Sequence, residues 1–162
     1  MKAAVDLLVE RLNGLMPRHG IVLGSGLGSL VNEVRDAVRI PYSDLPGFPL
    51  SGVSGHAGEI VAGYLGRTPV IMLAGRMHYY EHGDANAMRK PIEVLMGLGV
   101  KSLILTNAAG SLREDMPPGS VMQITDHINF SGKNPLIGEP SDGRFVGMTS
   151  AYDVELQAAM RA

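Results

Sequence analysis

The chain has no cysteine among its 162 residues, which excludes disulfide bonds and thiolate metal sites within it. It also lacks a cluster of lysine or arginine, and its net charge of −2 argues against a nucleic-acid surface. No apolar run approaches the roughly 18 residues of a membrane span, and Asp6 places a charge inside any N-terminal signal core. We therefore expect a cytoplasmic protein that binds neither nucleic acid nor membrane.

The composition instead suits an ordinary globular domain, with 45% hydrophobic and 19% charged residues. No internal repeat, low-complexity segment or linker divides the chain, so we predict a single domain over residues 1–162. The last predicted helix starts at Val154, shortly before the chain ends, and we expect this domain to be incomplete at its C-terminus. The 21 glycines indicate many tight turns or close backbone contacts.

One glycine-rich segment, Gly20-Ile21-Val22-Leu23-Gly24-Ser25-Gly26-Leu27-Gly28, has the pattern of a buried strand followed by a tight turn. Apolar residues at helical spacing then predict a helix: Leu27, Leu30, Val31 and Val34. The N-terminus of a helix after a glycine turn favours anions, and Ser25 adds a hydroxyl. Because glycine also serves turns that bind nothing, this segment alone leaves both interpretations open.

Periodicity predicts the other elements and an α/β fold with a mixed central sheet flanked by helices. Helices are predicted on the face Val5-Leu8-Leu12-Leu15, from Pro91 to Leu98, and from Val154 with Asp153 as N-cap. Further strands are predicted at residues 37–42 near a sheet edge, 59–64 and 68–74 as a hairpin, 102–106 and 120–128. Long loops are predicted at residues 45–55 and 129–147, and a polar loop at residues 75–84.

Chemically capable groups follow three of the predicted buried strands. Ser25 follows the first, Arg76 and His78 follow strand 68–74, and Ala108 follows strand 102–106. If these strands are parallel neighbours, their carboxyl ends meet at one edge of the sheet, where α/β proteins bind ligands. An arginine fork, a histidine, a hydroxyl and a backbone N–H would then form a cradle for an oxyanion.

Less specific interpretations compete with this cradle. Arg76 could form a surface ion pair, and His78 could be a structural histidine. A metal site from His78, His82 and Asp84 has suitable spacing, but Gly83 and the loop character of the segment argue against it.

Two other functions match the glycine turn only partly. A dinucleotide site would use Gly24, Gly26, Ser29 and Asp44, with serine in place of the third glycine. A nucleophile and base could be Ser25 and His56, but the Gly-x-Ser-x-Gly pattern is absent.

The motifs together resemble the trimeric class of purine nucleoside phosphorylases. The matching blocks occur in family order along nearly the whole chain: Gly24-Ser25-Gly26-Leu27-Gly28, Gly55-His56-Ala57-Gly58, Gly75-Arg76-Met77-His78-Tyr79-Tyr80-Glu81, Thr106-Asn107-Ala108-Ala109-Gly110, Asp126-His127-Ile128-Asn129, Gly132-Lys133-Asn134-Pro135-Leu136, Arg144-Phe145 and Ser150-Ala151-Tyr152-Asp153. The resemblance implies a nucleoside phosphorylase fold and the phosphorolysis of a purine nucleoside to free purine and ribose 1-phosphate. Inorganic phosphate is then a co-substrate, and no metal or organic cofactor is implied.

The resemblance also implies roles for individual residues. Phosphate binding is carried over to Ser25, His56, Arg76, His78 and the Ala108 N–H, and the catalytic set is His56, His78 and Glu81. Substrate contacts are carried over to Tyr80, to Asn107 and to Phe145, which is expected to reach a neighbouring subunit of a homotrimer.

Family members are longer, and their purine-binding groups match nothing in this chain. The purine specificity is therefore open, and methylthioadenosine phosphorylase is an alternative enzyme on the same scaffold. A second alternative is a non-catalytic oligomerising or anion-binding module that keeps only the phosphate half.

Overall fold

The computed structural model describes residues 1–49 and 58–161. It divides into two compact units, Met1–Ala108 and Ala109–Ala162. The prediction of a single domain over residues 1–162 stays a prediction. Over the described ranges, we find no helix with the length and apolar character that crossing a membrane requires.

The first unit is built on a mixed five-stranded sheet, which confirms the predicted fold class. Its strands are β1 (His19–Val22), β2 (Arg35–Pro41), β3 (Glu59–Leu65), β4 (Thr68–Ala74) and β5 (Ser102–Leu105). Their spatial order is β2-β3-β4-β1-β5, so β2 lies at an edge as Pro41 predicts. β3 and β4 form the predicted antiparallel hairpin, whereas β1 pairs in parallel with both β4 and β5.

Helices and short 3₁₀ segments cover this sheet. The α-helices of the unit are α1 (Lys2–Leu12), α2 (Tyr79–His82) and α3 (Arg89–Gly97). Leu8 and Leu12 of the predicted face are buried in α1 together with Ala4, whereas Leu15 lies beyond the end of the helix. α1 lies against α3 so closely that a Cβ on Gly97 would be 2.9 Å from the Val5 side chain. The predicted helices at both places are confirmed.

Strand β4 shows how the sheet divides the core. Ile71 and Leu73 pack in one apolar cluster with α1 and α3, and Val70 and Met72 pack in a second cluster with Val31. Because side chains alternate along a strand, β4 is covered on both faces. This explains its continuous apolar sequence.

Two local predictions in the first unit are wrong. The segment after the glycine turn is a 3₁₀ helix, Gly28–Glu33, in place of the predicted α-helix. It buries only Val31 and ends where β2 begins, which leaves no length for an amphipathic α-helix. The loop predicted at residues 75–84 contains one helical turn, α2, because His78 and Glu81 cap each other's backbone groups.

The second unit has no regular secondary structure over most of its described length and contains a 3₁₀ turn, Asp142–Arg144, and the helix α4 (Val154–Ala159). Asp153 caps α4 as predicted, since its Oδ1 accepts the N–H groups of Glu155 and Leu156 at 2.9 Å each. The strand predicted at residues 120–128 is wrong: the segment has no strand structure. A strand needs a hydrogen-bonded neighbour, and side chains such as Val121 remain 93% exposed.

Candidate anion site at the strand ends

The carboxyl ends of β4, β1 and β5 lie side by side, as parallel pairing requires. A single contact spans all three strands at this edge. Arg76, which follows β4, donates from Nη1 to the carbonyl oxygen of Thr106, which follows β5, at 2.7 Å. The prediction that these strands are parallel neighbours is therefore confirmed.

The glycine turn after β1 is a hydrogen-bonded β-turn. The Leu27 N–H donates to the Gly24 carbonyl at 3.2 Å. Gly26 has φ +84° at the third position of this turn, which is the conformation that a type II turn requires and glycine adopts without strain. Ser25 occupies the second position and is exposed. The backbone that an anion would meet after β1 therefore belongs to a turn, and not to a helix N-terminus.

Gly24 is held directly against the end of β5. Its N–H donates to Thr106 Oγ1 at 2.8 Å, and this hydroxyl donates in turn to the Val22 carbonyl at 2.9 Å. A Cβ on Gly24 would lie 2.4 Å from the Thr106 carbonyl oxygen and 2.8 Å from Asn107 Cα. No side chain fits at Gly24 unless the β5 exit moves.

Arg76 and His78 lie together on the segment after β4. Arg76 Nε donates to His78 Nε2 at 3.4 Å. Nε2 accepts this hydrogen bond with its lone pair. The hydrogen-bond pattern therefore assigns the ring proton of His78 to Nδ1. Arg76 is half-buried with its guanidinium on the Thr106 carbonyl, which disfavours the surface ion-pair interpretation.

Glu81 fixes the other side of the histidine. Its Oε1 accepts the His78 backbone N–H at 2.6 Å and lies 3.1 Å from His78 Nδ1. These hydrogen bonds, led by the one from the backbone, lower the pKa of Glu81 below its ordinary value even though burial acts in the opposite direction. A carboxylate that is only 6% exposed thus stays charged beside His78.

A buried tyrosine supports the start of the same segment. Tyr42, at 3% exposure, donates its hydroxyl to the Gly75 carbonyl at 2.8 Å. Gly75 has φ +129°, a conformation that favours glycine. The Tyr42 N–H also donates to the Gly58 carbonyl at 2.7 Å. Burial raises the pKa of Tyr42 well above its ordinary value, so the hydroxyl remains a donor.

The other predicted site residues lie in several parts of the chain. Tyr80 stacks on the His78 ring, with centroids 4.9 Å apart, and is 74% exposed. Asn107 and Ala108 continue from Thr106 at the β5 exit, where both are exposed. Phe145 belongs to the second unit and lies beneath the Arg144 guanidinium at 4.8 Å. His56 lies outside the described residues.

The order of the strands does not match a dinucleotide site. In a dinucleotide site, the strand before the ribose-binding acid is a parallel neighbour of the first strand. Here Asp44 follows β2, which pairs antiparallel with β3 and lies three strands from β1. The dinucleotide alternative is therefore wrong. For the metal alternative at His78, His82 and Asp84, the described residues contain no group of three side chains that could hold a metal ion.

The family of this chain is identified by comparing its sequence with protein-family models. A family model described as the phosphorylase superfamily matches residues 18–162. The chain belongs to the phosphorylase superfamily. The sheet and the strand-end site described above both lie largely within the matched range.

Several superfamily members named purine nucleoside phosphorylase are similar to this chain. Purine nucleoside phosphorylase 1 of Geobacillus stearothermophilus is 48% identical over 145 residues, covering 87% of this chain and 53% of that protein. The Bos taurus protein is 42% identical over 147 residues, covering 87% and 51%. The crystal structure of isoform 2 from Schistosoma mansoni, in complex with cytosine and ribose-1-phosphate, matches with a TM-score of 0.86 at 38% identity, covering 98% and 57%. The chain thus spans about half the length of the curated relatives it matches.

Two residues that organise the site in this superfamily member were not predicted from the sequence. Thr106 and Tyr42 each stand at the end of a strand, where their hydroxyl groups bond to backbone atoms of other segments. A hydroxyl residue that closes an otherwise apolar strand, as Thr106 does after Leu103-Ile104-Leu105, is the signal that could have identified the first of them.

Proposed function

We propose that this chain carries the phosphate-binding part of a purine nucleoside phosphorylase, with Ser25, Arg76, His78 and the Ala108 N–H as the groups that hold phosphate. The observation that carries the proposal is the position of Arg76 across three parallel strand ends, beside His78 and on the Thr106 carbonyl against which Gly24 packs. A guanidinium is the side chain best suited to a phosphate. The naming of the similar relatives as purine nucleoside phosphorylases supports the same activity.

In the proposed reaction, a phosphate oxygen attacks the anomeric carbon of the nucleoside. The bond from that carbon to the purine nitrogen breaks and its electron pair leaves with the purine. The purine takes up a proton in exchange for the one that the phosphate gives up, and the products are free purine and ribose 1-phosphate. The sugar becomes cationic on the way. The cradle would therefore act in two ways: it positions the nucleophile, and it holds an anion whose charge stabilises the sugar cation. Glu81 would keep His78 oriented through both of its hydrogen bonds.

The remaining groups are assigned to the sugar and the phosphate. We assign ribose contact to Tyr80, whose ring stacks on His78, a substrate contact to Asn107, and a phosphate-side catalytic role to His56. Phe145 would complete the ribose site of a neighbouring subunit, so the proposal includes a homotrimer. It requires no metal or organic cofactor, and it retains the cytoplasmic location expected from the sequence.

The test is to measure phosphate binding and purine release for the wild-type chain and for the double variant Arg76→Ala with His78→Ala. Phosphate binding is followed by calorimetry, and phosphorolysis of inosine or guanosine by the appearance of free purine. We expect the double variant to lose saturable phosphate binding and any turnover, because the arginine fork and the histidine are both removed.

A matched control removes the same two side-chain types from the opposite end of the sheet. Arg67 lies in the turn before β4, and His19 begins β1. We expect Arg67→Ala with His19→Ala to bind phosphate as the wild type does. Phosphate binding without purine release would favour the anion-binding module over the enzyme, and equal binding by both double variants would refute the proposed cradle.

A further inference from the structure

The three segments of the proposed cradle come from three different strands, and the sheet aligns them only as far as the strands extend. β1 ends at Val22, β4 at Ala74 and β5 at Leu105. The glycine turn, Arg76 and Ala108 all lie beyond these ends. Something other than the strand ladder must therefore hold them in register.

Thr106, two residues before Ala108 in the same segment, contacts both the glycine turn and Arg76. Its side-chain hydroxyl accepts the Gly24 N–H at 2.8 Å and donates to the Val22 carbonyl at 2.9 Å. Its backbone N–H donates to the same Val22 carbonyl at 3.1 Å. The hydroxyl thus uses both its donor and an acceptor position to fasten the β1 exit to the β5 exit.

The Thr106 carbonyl makes the third connection, because it accepts the Arg76 Nη1 at 2.7 Å. A hydrogen bond from a charged donor is stronger than one between neutral groups. The same oxygen would lie 2.4 Å from a Cβ on Gly24, so the turn, the guanidinium and the β5 exit meet at one atom. A displacement of Thr106 would therefore move both the turn and Arg76.

We infer that Thr106 is the positioning residue of the phosphate site: its hydroxyl holds the Gly24-Ser25 turn, and its carbonyl holds Arg76, in the arrangement that binds the anion. This inference rests on the proposed phosphate site. Thr106 acts through Gly24 and Arg76 and is given no contact with phosphate. A group that only stabilises the fold would affect the melting temperature and leave the affinity for phosphate unchanged well below that temperature.

The experiment compares Thr106→Val, which keeps the shape of the side chain and removes the hydroxyl, with Thr106→Ser, which keeps the hydroxyl. The dissociation constant for inorganic phosphate is measured by calorimetry at a temperature well below the melting temperature of each variant. We expect affinity to fall about tenfold in Thr106→Val, the effect of losing roughly 1.4 kcal/mol, and to stay within about threefold of wild type in Thr106→Ser.

A measurement on the wild-type chain tests the inference even if Thr106→Val does not fold. We expect hydrogen exchange of the Gly24 amide to be slow in the absence of phosphate, because Thr106 Oγ1 already accepts this N–H. Rapid exchange typical of an open loop would overturn the inference, as would equal phosphate affinities of the valine and wild-type proteins. If the wild-type chain binds no phosphate, the proposed function fails together with the inference, whereas binding that is insensitive to Thr106→Val removes only the inference.

Discussion

Replacing Gly24 by alanine tests the packing of the proposed phosphate site at its closest contact. The added methyl would be 2.4 Å from the Thr106 carbonyl oxygen and 2.8 Å from Asn107 Cα, whereas ordinary contact begins at 3.4 Å. The β5 exit and the turn must therefore separate by about 1 Å, and both contacting groups are backbone atoms without rotamers to change. Insertion of a methyl into a packed site costs about 1–3 kcal/mol.

That displacement would lower both the stability of the fold and the affinity for phosphate. For a chain of this length, a loss of about 2 kcal/mol lowers the melting temperature by roughly 4–8 °C. The same shift lengthens the bonds from Thr106 to Gly24 and to Arg76, which are 2.8 and 2.7 Å. We expect phosphate affinity to fall by about tenfold. Thermal melting followed by circular dichroism and a phosphate titration measure the two effects.

Gly28→Ala supplies the matched control from the same motif. A Cβ at Gly28 would have no atom within 4 Å, so we expect its stability to change by less than about 0.5 kcal/mol and its phosphate binding to match that of the wild type. Equal melting temperatures and equal phosphate affinities of Gly24→Ala and Gly28→Ala would refute the close contact at Gly24.

Three further predictions concern the two residues that support the segment after β4, Tyr42 and Glu81. Tyr42→Phe leaves the Gly75 carbonyl without its donor, and we expect urea denaturation to show a loss of about 1–3 kcal/mol in the free energy of unfolding. The control Tyr64→Phe, on the exposed side of β3, should change this free energy little, and equal losses in the two variants would contradict the role of Tyr42. Because the pKa of Tyr42 is raised, the wild type is also expected to lose stability as the pH rises above 10.0, where the unfolded tyrosine ionises and the folded one does not. The pKa of Glu81 is lowered, so the sign of its effect is opposite. The Glu81 carboxylate contributes to folding stability above its ordinary pKa of 4.5, and this contribution is lost as the pH falls through the lowered value. We expect melting temperatures measured across this acid range to fall less steeply in Glu81→Gln than in the control Glu10→Gln, and identical acid profiles would contradict the role of Glu81.

Much of the first unit could be predicted because its elements carry their own periodicity. The spacing of Leu8 and Leu12 is sufficient for α1, and the apolar run of β4 identifies a central strand. The convergence of Arg76 and His78 with the glycine turn followed from one topological rule, that parallel strands end at the same edge of a sheet.

The wrong predictions concern segments whose structure depends on neighbouring elements, and the local sequence pattern does not specify those elements. The apolar spacing after Leu27 is compatible with an α-helix, but β2 begins too soon for one to form. Residues 120–128 have the composition of a strand, but strand propensity largely measures packing against neighbouring strands. This segment has none among the described residues. The contacts of Thr106 with Gly24 join residues 82 positions apart, a relation that no local pattern contains.

The central claim, that the strand ends form a phosphate site, is tested most directly by following backbone amide resonances during a titration with inorganic phosphate. We expect saturable shifts of the amides of Ser25, Gly26 and Ala108, which disappear in Arg76→Ala with His78→Ala and persist in Arg67→Ala with His19→Ala. Saturable shifts confined to other surfaces, or shifts at Ser25 and Ala108 that survive the loss of Arg76 and His78, would contradict it.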